Sequence, residues 1–457
     1  VSNGTAMVCV GSVMSAGGIN LTVNRIPDAL AADQSICSGQ MTAIAISNPN
    51  VVPGVMYNWV VQSSNNASGA SSGSGTPIAQ TLNSIDGVNP GFVTYQITPS
   101  AAGCIGTPYS VTATVNPIPA LTVTDNTTGT ICNSSQTNIS VSDLVTGSII
   151  KLVGVTISGA PGNITGYSAV NSTFASGSLI TDLLVNTTNT NQTIKYDFQS
   201  TANSCTGTIQ SVTITVRPNA TFTLTNVPSV ICEGVTSPTN IVLSSSTAGM
   251  QVRISNVVAS GGVTGYSPIN TLYNAFPATI ADVLDNPTNQ SQTVTYYFEG
   301  SLGGICVNPT LSSVTVTVNP KPVGMDATKT VCSDVSIDYN LLTNVAVLGN
   351  NVGSTFSWVA TDNVNPNVIG ESTSPVIGPI ITDVITNLTN TDQIVVYTVT
   401  PTSTNGCVGA PFTITVTVKP EPVGLSTAAP DICSGSPVNY DLQNNVNASG
   451  NMLASNF

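Results

Sequence analysis

The chain has 457 residues, of which 41% are hydrophobic and only 6% are charged, and its net charge of −13 comes with no histidine at all. The negative charge argues against nucleic acid and anionic membranes as partners, since like charges repel, and the hydrophobicity is too high for a disordered chain. Without histidine, the commonest metal ligand and general base are missing, and no apolar run approaches the roughly 18 residues of a membrane-spanning helix.

An internal repeat of about 100 residues dominates the sequence. A tyrosine recurs at that interval, at Tyr95, Tyr196, Tyr296 and Tyr397. Ten cysteines form two interleaved series with the same spacing: Cys37, Cys132, Cys232, Cys332, Cys433 and Cys9, Cys104, Cys205, Cys306, Cys407. A unit of this size buries one hydrophobic core, so each repeat is predicted to be a domain.

The repeat divides the chain into four complete domains and two partial ones. The complete domains, called repeats 1 to 4 below, are residues 27–118, 119–218, 219–320 and 321–420. Residues 1–26 are interpreted as the C-terminal part of a truncated repeat and residues 421–457 as the N-terminal part of another. Because both ends fall inside a repeat, we interpret the sequence as a window onto a longer array.

Strands are predicted in every repeat, because β-branched and aromatic residues alternate with Thr and Ser, and Gly, Pro and Asn interrupt the pattern every ten residues or so. In repeat 4 they are expected near Val323–Thr330, Ser336–Leu342, Thr355–Ala360, Pro379–Leu388, Ile394–Pro401 and Phe412–Lys419. About seven short strands per repeat and no amphipathic helix predict an all-β fold, a tandem array of immunoglobulin-like Greek-key β-sandwiches. Short proline-rich joints predict a semi-rigid rod.

The cysteines predict disulfides and therefore an oxidising, extracytoplasmic location, since no Cys-x-x-Cys metal motif is present. Two pairings remain open. In the favoured one each repeat bridges its own beginning to its late hairpin, closing loops of about 70 residues that are worth about 4 kcal/mol each: Cys37 with Cys104, Cys132 with Cys205, Cys232 with Cys306 and Cys332 with Cys407. In the other, Cys9 pairs with Cys37, Cys104 with Cys132, and so on across the joints.

Three kinds of recurring side chain invite a functional interpretation: the aspartates with their neighbouring asparagines, the tyrosines and the tryptophans. Asp182, Asp282 and Asp383 are candidate cation ligands, with Asn186, Asn286 and Asn387 nearby, although an Asx turn at a strand end is the favoured alternative. The four repeated tyrosines are predicted to be corner tyrosines, whose hydroxyl group ties a loop to the sheet, with sugar stacking as the minor alternative. Trp59 and Trp358 are predicted to lie in the core rather than on an exposed ligand platform.

Catalytic motifs are missing from the sequence: it has no Gly-x-Ser-x-Gly elbow, no phosphate-binding loop and no dinucleotide fingerprint. We therefore predict no catalytic residue, no enzymatic activity, no cofactor and no metal requirement.

The aligned repeats resemble a known family. Repeat 4 carries the pattern in Val331-Cys-Ser-Asp, in 381–401, in Asn405-Gly-Cys407 and in 411–420. This combination resembles the PKD-like, immunoglobulin-like repeats of giant cell-surface adhesins of Bacteroidota. The resemblance implies export by the type IX secretion machinery to the outer surface of a diderm bacterium and a place in the stalk of an adhesin, including the adhesins that serve gliding motility.

We therefore expect a non-catalytic structural shaft at the cell surface, associated with the outer membrane but not inserted in it. Its expected partners are the secretion machinery during export and surface or glycan ligands bound by parts of the protein outside this sequence. Self-association into an extracellular fibre and a carbohydrate-binding module array are the alternatives. An array of carbohydrate-binding modules would need clusters of exposed aromatic side chains.

Overall fold

The structure, a computed structural model, describes residues 22–308, 310–361 and 365–457. Cys9 and most of the first partial repeat lie outside the described residues. The chain divides into two units, Val1–Asn219 and Ala220–Phe457, and each is described by itself. The predicted fold class is confirmed: the chain is nearly all β and folds as tandem immunoglobulin-like sandwiches.

The period-2 pattern produces the longest strand of each repeat. Along the strand Gly91–Ala101, buried side chains alternate with partly exposed ones, so Tyr95 and Ile97 enter the core while Thr94 faces outward. The outward threonines pair across strands, as in the contact of 3.4 Å between the hydroxyl groups of Thr94 and Thr112. One face of the main sheet is therefore apolar and the other carries hydroxyl groups.

Repeat 1 contains eight strands. They are β1 Gln34–Cys37, β2 Met56–Asn65, β3 Ala67–Ser68, β4 Gly73–Ser74, β5 Asn83–Ser84, β6 Gly91–Ala101, β7 Cys104–Ile105 and β8 Tyr109–Asn116. The main sheet has the order β1-β8-β6-β2-β4, and β7 pairs with β6. The opposite layer is held by β3 and β5 and by isolated bridges such as Ile44 with Ile78.

Repeat 2 contains twelve strands. They are β9 Thr122–Asp125, β10 Thr130–Ile131, β11 Ser135–Gln136, β12 Ile139–Ser142, β13 Ile149–Ile157, β14 Ile164–Thr165, β15 Thr173–Ala175, β16 Ser178–Ile180, β17 Leu183–Asn186, β18 Gln192–Ala202, β19 Cys205–Thr206 and β20 Gln210–Val216. The main sheet has the order β10-β20-β18-β13-β15, and the opposite layer consists of β16-β12-β9 and β11-β17-β14.

Repeat 3 has the same main sheet among its described residues. Its strands are β21 Thr223–Asn226, β22 Val230–Cys232, β23 Ile241–Ser244, β24 Met250–Ala259, β25 Leu272–Tyr273, β26 Ala278–Ile280, β27 Gln292–Leu302, β28 Cys306–Val307 and β29 Ser312–Asn319. The order is β22-β29-β27-β24-β25, facing β21-β23-β26.

Repeat 4 adds a helical turn to the sandwich. Its elements are β30 Ala327–Cys332, β31 Tyr339–Asn340, α1 Leu341–Thr343, a π-helical turn Asn344–Leu348, β32 Ser354–Ala360, β33 Val368–Ile369, β34 Val376–Ile377, β35 Ile380–Ile381, β36 Thr386–Asn387, β37 Gln393–Ser403 and β38 Phe412–Lys419. The main sheet is β30-β38-β37-β32-β34. A final helix, α2 Leu442–Ala448, lies in the last partial repeat.

Two predicted strands of repeat 4 are corrected. The expected strand Ser336–Leu342 stops at Asn340, because the Asn340 side chain accepts a hydrogen bond from the Thr343 N–H (3.1 Å) and caps a helical turn. The expected strand Pro379–Leu388 is split into β35 and β36. Between these two strands the backbone makes only an isolated bridge, Ser336 with Val384, and the Asp383 carboxylate accepts hydrogen bonds from Ser372.

In each repeat the strand that ends at or beside the first cysteine, called the first strand below although β9 and β21 precede it in repeats 2 and 3, runs parallel to the last strand. In repeat 1, β1 pairs with β8 so that Cys37 lies beside Asn116, at the C-terminal end of the domain. The same parallel pairing recurs between β10 and β20, between β22 and β29, and between β30 and β38. The first cysteine of each repeat therefore lies at the end where the chain leaves that repeat.

Candidate functional site: a polar tie in each repeat and a disulfide across the joint

Two cysteines of each repeat lie at opposite ends of the domain. Cys104 follows β6 in the hairpin that leads to Tyr109, the first residue of β8, whereas Cys37 lies beside Asn116, the last residue of β8. An eight-residue strand rises roughly 25 Å at about 3.3 Å per residue. This separation is far beyond the Cα distance of about 4.4–6.8 Å that a disulfide spans.

The disulfides instead join successive repeats. Cys37 of repeat 1 bonds Cys205 of repeat 2, and Cys232 of repeat 3 bonds Cys407 of repeat 4, each with a Cα–Cα distance of 5.6 Å. Both bonds connect the end of a first strand with the late hairpin of the following repeat. Cys132 and Cys306 are disulfide-bonded as well, whereas Cys104, Cys332 and Cys433 are free thiols.

Both pairings expected from the sequence are therefore wrong at the four cysteines whose partners are described. Cys37 pairs with neither Cys104 nor Cys9, and Cys205 does not pair with Cys132. Cys232 does not pair with Cys306, and Cys407 does not pair with Cys332. Cys104 and Cys332, which were expected to be bonded, are free. The physical reason is the parallel first strand, which places the two cysteines of a repeat at opposite ends.

Polar contacts accompany the disulfide at the joint between repeats 3 and 4. The side-chain amide of Asn405, in the hairpin before Cys407, donates to the Ser291 hydroxyl (3.1 Å) and to Oδ1 of Asn319 (3.4 Å). Asn319 is the last residue of β29, and Cys407 Sγ lies 3.9 Å from its carbonyl oxygen. The late hairpin of repeat 4 is therefore seated on the end of the last strand of repeat 3.

A glycine lets the linker pass close to the late hairpin in repeats 2 and 4. A Cβ atom on Gly207 would lie 2.3 Å from the carbonyl oxygen of Pro119, and one on Gly409 would lie 2.0 Å from that of Pro322. These distances are shorter than any Cβ contact allows, so glycine is required where the proline linker crosses the hairpin. The joints between repeats 1 and 2 and between repeats 3 and 4 thus each combine a proline, a glycine and a disulfide.

A second recurring feature is a polar tie inside each repeat. In repeat 2, Asp182 Oδ2 accepts hydrogen bonds from the Tyr196 hydroxyl (2.8 Å) and the Ser168 N–H (2.7 Å), and Oδ1 accepts one from the Ser168 hydroxyl (2.6 Å). The same three bonds recur at Asp282 with Tyr296 and Ser267, at 2.6, 2.7 and 2.6 Å, and at Asp383 with Tyr397 and Ser372, at 2.8, 2.6 and 2.8 Å.

Repeat 1 builds the tie with a neutral side chain. The Tyr95 hydroxyl donates to Gln80 Oε1 (2.7 Å), which also accepts from the Ser71 N–H (2.9 Å), while Gln80 Nε2 donates to the Ser71 carbonyl oxygen (2.6 Å). A buried threonine identifies the equivalent positions, since Thr42 Oγ1 accepts from the Gln80 N–H and Thr137 Oγ1 accepts from the Asp182 N–H. The glutamine therefore occupies the position of the aspartate.

The repeated asparagines close the loop beside the tie. Asn186 is buried; its side-chain amide donates to the carbonyl oxygens of Thr190 and Val216 (both 2.8 Å), and its Oδ1 accepts from the N–H and hydroxyl of Thr188. Asn286 and Asn387 make the equivalent bonds. These amide oxygens are already used by protein donors.

The aspartates are therefore placed as structural acceptors. Each carboxylate receives three short hydrogen bonds from protein groups, and the donor groups belong to a distant loop and to the longest strand. The Asx turn favoured from the sequence is formed by the neighbouring asparagines and not by the aspartates. The corner-tyrosine prediction is confirmed, because each hydroxyl ties a loop to the sheet. Within the described ranges, no group of three or more acidic or cysteine side chains has the arrangement of a metal site.

Burial controls the titration of the tie. Desolvation raises the pKa of Tyr95 to about 12. In repeats 2 to 4 desolvation again acts first, and the neighbouring carboxylate adds to it, so the pKa values of Tyr196, Tyr296 and Tyr397 lie further above the usual value. The hydroxyl group consequently remains a donor at physiological pH.

Trp59 and Trp358 are core residues, with 7% and 2% of their surface exposed, as predicted. Trp59 faces Ile97 on the neighbouring strand, and Trp358 faces Val399. In repeats 2 and 3 the aromatic side chain lies on the neighbouring strand instead: Leu152 faces Phe198, and Ile254 faces Phe298.

The sequence profile of the PKD-like domain family matches three stretches of the chain, residues 34–119, 129–220 and 329–422. Together they make up more than half of the sequence, so the chain belongs to the PKD-like domain family. No curated protein shows significant sequence similarity to it.

Solved structures of other multi-domain proteins align with most of the chain at low similarity. The protocadherin gammaB4 extracellular domain is 12% identical with a TM-score of 0.24, covering 87% of this chain and 68% of its own. The human desmocollin-1 ectodomain is 11% identical with a TM-score of 0.25, covering 88% and 81%. A complex of Dpr2 Ig1-Ig2 with DIP-Theta Ig1-Ig3 is 12% identical with a TM-score of 0.29, and the match covers 65% of this chain and 100% of the other. These scores carry no argument about function.

None of the helices in the described ranges has both the length and the apolar character needed to cross a bilayer.

Proposed function

We propose that this chain is part of the non-catalytic shaft of a large secreted cell-surface adhesin. The observation that carries the proposal is the disulfide between the first strand of one repeat and the late hairpin of the next, seen at Cys37–Cys205 and at Cys232–Cys407. Such a bond stabilises a joint between repeats rather than a repeat by itself. A bond that fixes domain neighbours is useful where the array must transmit position or force.

The interior of each repeat supports the same role. The recurring polar side chains are used for loop closure, and they point their acceptors at protein donors rather than at a cavity. Disulfides persist in oxidising compartments, which supports a place outside the cytoplasm. By resemblance, export by the type IX secretion machinery and a place at the outer surface, in adhesion or gliding, complete the proposal.

The role is tested on bacteria that produce the protein. An in-frame deletion of two repeats, residues 119–320, removes Cys205 and Cys232 and leaves Cys37 and Cys407 at the 168-residue separation of the Cys37–Cys205 bond. We expect the protein to reach the surface, detected by antibody labelling of intact cells, with attachment to a surface reduced by shortening of the shaft. Unchanged attachment and unchanged distance of the label from the cell body would contradict the proposal.

Assembly into a fibre is a variant of this proposal, with the same chain as subunit. It predicts repeated lateral contacts between purified chains in electron micrographs, whereas a single shaft predicts isolated arrays. Cys104, Cys332 and Cys433 are blocked by alkylation before imaging so that incidental oxidation does not link the chains.

A carbohydrate-binding array is a second candidate, favoured by one observation. Tyr167 and Tyr266 occupy equivalent positions in repeats 2 and 3 and are 37% and 39% exposed, beside the serines of the polar tie. Stacking on a sugar requires such a face. Binding to a glycan array that is lost in the double variant Tyr167→Ala and Tyr266→Ala would favour this candidate, and absence of binding by the unaltered chain would remove it.

A further inference from the structure

The two described disulfides change the covalent route along the array. Cys37–Cys205 bridges a sequence separation of 168 residues and Cys232–Cys407 one of 175 residues. A route that starts at Cys37 crosses to Cys205, follows the backbone to Cys232 and crosses to Cys407. Only about 27 residues of backbone lie on this route between the two bonds, and the rest lies inside closed loops.

We propose that the cross-joint disulfides make the array a tether of limited length, in which tension bypasses the folded repeats through the covalent route. Residues 38–204 and 233–406 lie in parallel with a disulfide. Unfolding of the sandwich inside either loop therefore adds no length between the ends. The inference deepens the proposed shaft and rests on that role for its use in the cell, but the covalent route itself follows from the disulfides.

The size of the effect follows from the reach of an extended chain, which is at most about 3.3–3.6 Å per residue. The segment of about 27 residues spans at most roughly 95 Å, whereas the unbridged chain of about 370 residues from Cys37 to Cys407 would span roughly 1,300 Å. A fully unfolded but oxidised array therefore gains less than a tenth of the length that a reduced array gains between these residues.

The backbone segment from Cys205 to Cys232, which no disulfide of this route bridges, is itself held by sheet pairing. It contains β20, which pairs in parallel with β10 and antiparallel with β18, and it ends with β22, which pairs in parallel with β29. The late hairpin strand β19 pairs with β18 at the point where Cys205 enters the route. Small loads are thus resisted by strand pairing before the disulfides limit the extension.

Single-molecule pulling of the 457-residue chain through handles at its two ends tests the proposal. Under oxidising conditions, complete unfolding is expected to release only the residues outside the loops, and adding a reductant is expected to raise the released length several-fold. An oxidised chain that extends to the length of the reduced chain would overturn the proposal.

Paired substitutions locate the effect. Removing one bond with Cys37→Ser and Cys205→Ser is expected to release at least about 100 further residues, which is roughly 350 Å. Cys232→Ser with Cys407→Ser should do the same, and Cys433→Ser, at an exposed free thiol, should leave the released length unchanged. An unchanged released length in both double variants would contradict the covalent route.

Peptide mapping of the unreduced wild-type chain keeps the test valid where a double variant fails to fold. Linked peptides that contain Cys37 with Cys205 and Cys232 with Cys407 are expected, and linkage within a repeat would overturn the route. Neither pulling nor peptide mapping depends on attachment of cells to surfaces. The covalent route can therefore hold even if the deletion experiment contradicts the proposed shaft, and failure of one proposal is distinguishable from failure of the other.

Discussion

Repeats 1 and 2 build the same tie from different chemistry. In repeat 1 the neutral Gln80 accepts from Tyr95 and Ser71, and in repeat 2 the carboxylate of Asp182 accepts from Tyr196 and Ser168. The geometry persists without the negative charge. This comparison teaches that the position is selected for its acceptor oxygen, and that the acidic residues of repeats 2 to 4 need no bound cation to explain them.

The cores of the two repeats differ in a related way. Trp59 with Ile97 in repeat 1 becomes Leu152 with Phe198 in repeat 2, so that the aromatic side chain moves to the neighbouring strand while one large and one smaller apolar group remain. All four are buried. Close packing constrains the summed volume of facing side chains more than the identity of either one.

The largest expected effect is loss of the acceptor itself. Asp182→Ala leaves the Tyr196 hydroxyl and both Ser168 donors without a partner, and each buried unsatisfied group costs about 1–3 kcal/mol. We expect repeat 2 to lose about 3 kcal/mol in free energy of unfolding, measured by hydrogen exchange of its own peptides in urea. Asp392→Ala removes an exposed aspartate and is the control. A loss below about 0.5 kcal/mol would show that the tie contributes little.

Core truncation in repeat 1 is expected to follow in size. Trp59→Leu removes buried volume and should lower the free energy of unfolding by about 2 kcal/mol. Truncation of a buried tryptophan to alanine costs more, about 3–5 kcal/mol. Adding Ile97→Phe reproduces the arrangement of repeat 2 and should recover at least half of that loss. Thermal unfolding of the single and double variants measures the recovery. A double variant less stable than Trp59→Leu would show that the two packings are not interchangeable.

Removing only the hydroxyl group gives a smaller effect. Tyr196→Phe keeps the ring in the core but takes one donor from the Asp182 carboxylate, with an expected cost of about 1–1.5 kcal/mol. Tyr95→Phe should cost less, because its acceptor is a neutral amide and bonds to charged groups are stronger. Urea unfolding of the two variants, followed repeat by repeat, compares them. Equal costs would mean that the charge adds nothing to the tie.

Exchanging the acceptor sharpens the comparison directly. Asp182→Gln gives repeat 2 the side chain of repeat 1, and because the amide accepts from the same two partners in repeat 1, we expect a loss of only about 1 kcal/mol. Calorimetry with and without a chelator measures this variant beside the wild type. A fall in wild-type melting temperature on adding chelator, absent in the variant, would restore the cation interpretation of Asp182.

The pH dependence should be the mildest effect near neutrality. A tyrosine whose pKa is raised on folding contributes stability that is complete below about pH 10 and is lost as the pH rises through the folded value. For Tyr95 this window extends from about pH 10 to about 12, and for Tyr196 it extends further. Tyrosinate absorbance should therefore show Tyr95, identified by its absence in Tyr95→Phe, titrating at lower pH than Tyr196. The reverse order would contradict the stronger effect of the carboxylate.

Much of this architecture could be predicted from sequence because it depends on local pattern. Alternation of apolar and polar residues specified strands such as Phe412–Lys419, which the structure reproduces, and the recurring tyrosine specified a tie between a loop and the sheet. The helical turn after Asn340 was missed because three residues of helix leave no periodicity to detect, although the capping asparagine was a signal.

The sequence by itself determined the repeat, the fold class and the presence of disulfides, since these follow from spacing, composition and period-2 patterning. Tertiary structure decided which cysteines meet. A parallel pairing of first and last strands brings Cys37 to the exit of its repeat and within 5.6 Å of Cys205. Strand direction is set by non-local hydrogen bonding, which leaves no mark in the spacing of the cysteines, and so only the folded chain joins one repeat to the next.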